Sequence, residues 1–185
     1  MKITAIIPAR GGSKRLLRKN IAKIWGIPML CWSIKACKTS KYDIEVWVST
    51  EDDEIKNIAK SSGANIHKRS PALSGDKVFK QEVIRSAARF IDDSTEKSDI
   101  YLSVQANSPQ ISSKVIDSVI DKLIETGCSE VFTVDRDLIQ NAAIRAFKGD
   151  YVYQKDLSTY CAVVACDVED VHTQEDLDRV EKNGR

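Results

Sequence analysis

Short runs of apolar, largely β-branched residues alternate along this chain with longer stretches in which apolar positions recur every three or four residues. The first pattern is that of buried strands, the second that of helices with one face turned inward. Ile3, Ala5, Ile6 and Ile7 open the series as a strand cut off by Pro8. After a basic loop, Trp25-Gly26-Ile27-Pro28 turns into a helix. Pro28 is expected in its first turn, and Met29, Leu30, Trp32, Ser33, Ala36 and Cys37 form its apolar stripe. Ile44 to Ser49 reads as a second strand. Thr50 is expected to cap the following helix, with Asp53 at the capping-box position, Ile55, Ile58 and Ala59 inward, and Gly63 at its end.

Asn65 to His67 is a short third strand, and Arg69 to Asp76 an irregular loop rich in Pro, Ser and Gly. Val78 to Ile91 is a helix with Val83, Ile84, Ala87 and Phe90 or Ile91 toward the core. Asp99 to Val104 is the next strand. Ser112 is expected to cap a helix striped by Val115, Ile116, Val119, Ile120 and Leu123 and ended by Gly127. Glu130 to Val134 is a further strand. Beyond it come a Lys148-Gly149-Asp150 turn with the character of a hairpin, a polar turn over 154–158, and an apolar run over 159–166. Thr173 caps the last helix, with Asp176 at the capping-box position and Leu177 and Val180 inward. Strand alternating with helix implies parallel pairing and right-handed crossovers. The fold expected is α/β: a three-layer αβα arrangement with a mainly parallel, doubly wound sheet, strand 3–8 central, and ligands at the strands' carboxyl ends.

Composition narrows the function. With 185 residues the chain is expected to form a single domain over 1–185. Its 28 basic and 27 acidic side chains balance, which argues against bulk binding of nucleic acid or an acidic membrane. No apolar run approaches membrane-spanning length, and the N-terminus opens on a strand pattern, not that of a signal peptide. The five cysteines are odd in number and form no C-x-x-C, so reduced core thiols and a cytoplasmic location are expected. Neither His67 nor His172 has a cysteine nearby, so no structural zinc site is expected.

Against that neutral background the loop after the first strand stands out. Gly11 and Gly12 permit a tight turn, and Arg10, Lys14, Arg15, Arg18 and Lys19 place five cations within ten residues. Free N–H groups followed by fixed positive charge suit a polyphosphate, although a solvated basic loop has the same composition. Neither G-x-x-x-x-G-K-[ST] nor G-x-G-x-x-G is present.

The stretch IIPARGGSKRLLRKNI resembles the N-terminal signature of the acylneuraminate and deoxy-octulosonate cytidylyltransferases, the CMP-sugar synthetases. The likeness is strongest over 3–63, extends to about Ile111, and returns at VHTQEDL. Leu17 stands where that family usually has proline. The resemblance implies a Rossmann-like nucleotidyltransferase fold, with CTP and a small keto-acid sugar as substrates, pyrophosphate as leaving group and Mg²⁺, or Mn²⁺, as cofactor. It implies catalytic roles for Arg10 and Lys19, and nucleotide binding by Ala9, Arg10, Gly11, Gly12, Ser13, Lys14, Asn20, Arg69 and Gln105. The metal would fall to Asp170 and His172. Three further departures accompany it: Lys77, Val78 and Phe79 replace small hydroxyl residues after Asp76, Asn107 takes the place of an acidic metal ligand that some members carry, and His172 replaces an aspartate. The family's long excursion after the strand at 130–134, which contributes to dimerisation and to the acceptor pocket, is much reduced, and a homodimer is the assembly it suggests. An active cytidylyltransferase, a catalytically weakened nucleotide-binding homologue and a sugar 1-phosphate nucleotidyltransferase are the three readings. The last lacks its G-x-G-x-R loop and later P-K.

Overall fold

The computed structural model describes residues 1–156 and 158–184; of the polar turn expected over 154–158, Leu157 lies outside the described residues. Among the described residues nine strands form: β1 (Ile3–Pro8), β2 (Lys23–Ile24), β3 (Ile27–Pro28), β4 (Ile44–Thr50), β5 (Asn65–Lys68), β6 (Ile100–Val104), β7 (Glu130–Val134), β8 (Gln140–Lys148) and β9 (Cys161–Ala165). Five helices join them: α1 (Met29–Lys38), α2 (Asp53–Ser61), α3 (Lys80–Ser94), α4 (Ser113–Thr126) and α5 (Gln174–Asn183). Seven strands make one sheet in the order β5-β4-β1-β6-β8-β7-β9, and β2 pairs with β3 in a separate small hairpin. Strands β5, β4, β1 and β6 are parallel neighbours, as are β7 and β9. Strand β8 alone runs against both of its neighbours. The sheet is thus mainly parallel and β1 is interior, flanked by β4 and β6.

Alternation along the strands sorts the core into layers. Ala5, Ile7, Val46, Val48, Leu102 and Val104 meet Leu30 and Ile34 of α1, Ile55 of α2 and Ile116 and Ile120 of α4 on one face. Ile6, Trp47, Tyr101 and Phe147 point the other way, onto Ile84, Ala87, Ala88 and Ile91 of α3. A third cluster joins α5, through Leu177 and Val180, to Ile24, Met29 and Trp32. That cluster matters for function, because it brings the C-terminal segment back against the loop after β1. Among the described residues no helix is long and apolar enough to cross a membrane.

Several local expectations are corrected. Pro28 is the residue before α1, not part of its first turn. Asp52, not Thr50, caps α2: its carboxylate accepts from the N–H groups of Glu54 and Ile55, while Thr50 still belongs to β4. Ser112 precedes α4, but its side chain makes no capping bond. Helix α3 begins two residues later than expected, at Lys80, and runs on to Ser94. The turn at 148–150 closes no hairpin; it enters a 3-10 turn, Gly149–Tyr153, and β9 pairs with β7 instead. The Thr173–Asp176 capping box of α5 is present as expected. All five cysteines are free, yet only Cys37, Cys128 and Cys166 are buried; Cys161 is exposed on β9.

His67, buried on β5, meets Ser49 Oγ through Nδ1 at 3.0 Å. Loss of hydration, with the charge of Arg69 beside it, holds its imidazolium below the ordinary value of 6.5. The unfolded chain therefore takes up this proton first as pH falls, so stability is expected to decline as pH drops through about 6.5 toward the lower folded value. His172 is held down in the same direction and adds to the decline. Urea unfolding at pH 7.5, 6.5 and 5.5 should show a shallower acid-side loss in His67→Gln than in the wild type; equal slopes would contradict the assignment.

Candidate active site

The loop after β1 is pinned before it is charged. Ala9 N–H donates to the Ser49 carbonyl of β4 at 3.0 Å, which extends the β1–β4 pairing by one step. Gly11 N–H donates to Glu51 Oε1 at 2.8 Å. A Cβ on Gly11 would collide with the Asp52 side chain, reaching its Cβ at 3.0 Å, so the glycine here answers a close approach to the α2 cap. Gly11→Ala is expected to cost about 1–3 kcal/mol as an overpacking change, read by urea unfolding; a loss under about 0.5 kcal/mol would contradict it. Farther along, Arg18 pairs with Asp52 at 3.6 Å and with Glu54, and Asn20 Nδ2 donates to the Arg10 carbonyl at 2.9 Å. These bonds leave the loop little freedom.

What the loop encloses is a cavity of about 430 Å³ beyond the carboxyl ends of β1 and β6. Its walls include Arg10, Ser13, Lys14, Lys19, Asn20, Arg69, Gln105 and His172, so eight of the residues expected from sequence come together. Ala9, Gly11, Gly12 and Asp170 are not among the lining residues. Ala9 is fully buried, and the N–H groups of Gly11 and Ser13 are spent on Glu51 and on the Gly11 carbonyl, so these two do not form the expected cradle of free N–H groups. The cavity is instead lined by side-chain cations.

Those cations differ in how far they are committed. Arg10 pairs with Asp76 at 2.8 Å, and Lys14 pairs with the other oxygen of the same carboxylate. Lys14 first, then Arg10, holds the Asp76 carboxyl below the usual range. Arg69 is 4% exposed and donates to the Ser49 carbonyl at 2.5 Å and to Ser49 Oγ at 3.3 Å, with Glu51 at 3.8 Å. Burial lowers its pKa. Its guanidinium thus braces the end of β4, and one side of it faces the cavity. Lys19 is half-buried and, among the described residues, its ammonium is in no ion pair. Burial pulls its pKa down; Asp170 opposes this, and Arg15 and Arg10 add to it.

On the opposite wall Gln105 is the hub. Its Oε1 accepts from Lys80 Nζ at 3.0 Å, and its Nε2 donates to Asp170 Oδ2 at 2.9 Å. Lys80 also donates to the Ala142 carbonyl at 3.0 Å. Lys80 lines the cavity, and loss of hydration lowers its pKa to about 8 against the pull of Asp170. Asp170 receives a second bond from Ser108 Oγ. Asn107 and Val171 exchange backbone and side-chain bonds at 2.9 Å, which fixes the segment carrying Asp170 against the end of β6. His172 Nδ1 lies 3.2 Å from the Arg15 guanidinium. Burial first, then the charge of Lys19, holds its imidazole below 6.5, so at neutral pH it is the uncharged acceptor for Arg15.

The Mg²⁺ or Mn²⁺ expected from the resemblance needs several hard oxygen ligands, some of which a bound phosphate supplies. The residues present do not fit a resident ion. Asp170 is engaged by Ser108 and Gln105, His172 faces a guanidinium, and Asn107 is spent on Val171. No group of three or more His, Cys, Asp or Glu side chains suited to a metal occurs among the described residues. Sequence reasoning also missed Lys80 as a wall residue, and named Arg15 only among the cations of the loop. The departure after Asp76 was visible, but nothing in the pattern aims the fourth residue after it over the sheet.

A family model described as Cytidylyltransferase matches residues 4–148. N-acylneuraminate cytidylyltransferase A of Danio rerio is 37% identical over 134 residues, 72% of this chain and 30% of that protein. The chain therefore spans under a third of that relative's length. Among solved structures, CMP:2-keto-3-deoxy-manno-octonic acid synthetase complexed with CTP superposes with a TM-score of 0.81 at 16% identity, covering 99% of this chain and 98% of that one. Rv0371c of Mycobacterium tuberculosis, in a complex with manganese, gives 0.71 at 12% identity, with 100% of both chains covered. At those identities the likeness is one of fold.

Proposed function

The chain belongs to the cytidylyltransferase family, and from that premise we propose that it transfers CMP from CTP to a keto-acid sugar and releases pyrophosphate. The observation that carries this reading is the convergence of Arg10, Lys14 and Lys19 with Gln105 on one cavity at the strands' carboxyl ends. In the reaction the hydroxyl at the sugar's anomeric carbon attacks the α-phosphorus of CTP. A new P–O bond forms, the bond to the β-phosphate oxygen breaks, and the hydroxyl proton is given up. Such chemistry asks the protein for alignment and for compensation of negative charge, not for a nucleophile.

Residue roles follow from commitment. Asp76 occupies the Arg10 and Lys14 side chains as phosphate oxygens would, and a triphosphate displaces it. Lys19, in no ion pair among the described residues, meets the charge that grows at the α-phosphate and the departing pyrophosphate. Asn20 holds the loop through the Arg10 carbonyl, Ser13 contributes at the wall, and Ala9, Gly11 and Gly12 shape the turn. Gln105 approaches the nucleotide or acceptor sugar. Arg69 braces the wall beneath the base. The same reading treats residues 1–185 as one nucleotide-binding domain. Its runner-up, a nucleotide-binding homologue with weakened catalysis, is favoured by the withdrawal of Asp170 and His172 into protein contacts.

The test is pyrophosphate release from each of the four NTPs across a panel of keto-acid sugars. Release that needs both CTP and one of those sugars is expected. Release without an acceptor, or with another NTP in preference, would overturn the reading, and CTP binding with no release under any condition would select the runner-up.

A further inference from the structure

Positive charge at this cavity exceeds what the loop motif alone supplies. Six cationic side chains, Arg10, Lys14, Arg15, Lys19, Arg69 and Lys80, line it against one carboxylate, Asp76. Lys80 differs from the rest in its origin and in its contacts. It comes from the first turn of α3, across the cavity from the basic loop, and bridges Gln105 Oε1 to the Ala142 carbonyl of β8, each at 3.0 Å. Because Lys80 binds the amide oxygen of Gln105, the amide nitrogen must turn the other way, onto Asp170 Oδ2 at 2.9 Å. Asp170 Oδ1 is taken by Ser108. One carboxylate that a metal would need is thereby engaged by Gln105 and Ser108, and Lys80, unlike Asp170, lines the cavity. With two of its protons on carbonyl oxygens, the third can point to an anion.

We propose that Lys80 stands in for a divalent cation at this site, fixing Gln105 and Asp170 and supplying the charge that lets a nucleoside triphosphate bind without metal. This rests on the CTP reading of the cavity. It makes Lys80 a positioning residue as well as a source of charge, and it accounts for why His172 can replace an acidic residue: with the charge supplied by lysine, the carboxylate is not needed. Metal-free CTP, carrying more negative charge than its magnesium complex, should be bound at least comparably well by fixed cations.

The experiment is an equilibrium titration of the full chain with CTP, in buffer with EDTA and in buffer with excess Mg²⁺, for wild type, Lys80→Met and Lys80→Arg. Wild-type dissociation constants are expected to agree within about threefold between the buffers. Lys80→Met should bind about tenfold more weakly in EDTA, as for loss of one charge-assisted bond, with Mg²⁺ restoring part of the loss, and Lys80→Arg should stay near wild type. A purely structural role would lower Lys80→Met equally in both buffers, and that result overturns the proposal. So does a wild-type affinity at least tenfold higher with Mg²⁺, or saturable Mn²⁺ binding to the nucleotide-free protein at sub-millimolar concentration. Wild type that binds no CTP in either buffer removes the nucleotide reading itself, a failure distinct from metal-dependent binding.

Discussion

Lys19→Ala is expected to slow CMP transfer by about a hundredfold or more, roughly 3 kcal/mol of transition-state stabilisation, with a smaller loss of CTP affinity. The asymmetry follows from the environment. Arg10 and Lys14 already share Asp76, so a triphosphate replaces one anion by another there and the net gain is modest. Among the described residues Lys19 has no such ion-pair partner. Its side chain is half-buried, and burial, with Arg15 and Arg10 adding to it, disfavours its charge in the resting protein against the pull of Asp170. Charge that develops beside it in the transition state relieves that penalty, and poor hydration makes each unit of charge count for more. Steady-state pyrophosphate release at saturating CTP is the readout. A turnover within about threefold of wild type would remove Lys19 from the chemistry, and Lys19→Arg, which keeps the charge, should recover part of the rate.

The largest expected effect on stability lies away from the cavity, at Arg145→Ala. Glu130 is 2% exposed, and its Oε2 accepts from Arg145 Nε at 3.0 Å and from the terminal guanidinium nitrogen at 2.5 Å. Its Oε1 accepts from Ser158 N–H at 2.8 Å, and the Arg145 guanidinium also lies 4.8 Å from the Phe147 ring centroid. The pair joins β7 to β8 and ties down the segment that leads to β9. Removing the arginine strands a buried carboxylate, which typically costs about 3–5 kcal/mol. Urea unfolding should show it, and the Arg145→Ala, Glu130→Ala double variant should lose less than the sum of the single losses. A single-variant loss under about 1 kcal/mol would mean that the pair is hydrated and contributes little.

The two predictions mark what could be read from sequence. Lys19 belongs to a local signal, a basic loop directly after a buried strand, and nearness in sequence carried over into nearness in space. The same holds for the first four parallel strands and for the Thr173–Asp176 box, whose parts are three residues apart. Strand β8 was harder, because an apolar run looks the same in either direction. Its orientation was nonetheless present in the short link over 135–139, which permits a hairpin to β7 and no crossover. Lys80 and the bonds that hold the Asp170 carboxylate were not legible. Each depends on Gln105, which is 25 residues from one and 65 from the other, and only the assembled sheet brings the three together. The motif therefore singled out Asp170 and said nothing of which partners its carboxylate takes. Likewise Gly11 was singled out for its freedom, whereas its N–H serves Glu51 and its missing side chain makes room for Asp52.

The claim on which the rest depends is that this cavity selects a cytidine triphosphate. Equilibrium titration of the wild-type chain with CTP, UTP, ATP and GTP under one buffer condition tests it most directly. The account predicts saturable binding of CTP at least tenfold tighter than of ATP or GTP, falling with added salt because fixed cations supply the attraction. Equal binding of all four nucleotides, or no saturable binding of CTP, would contradict it.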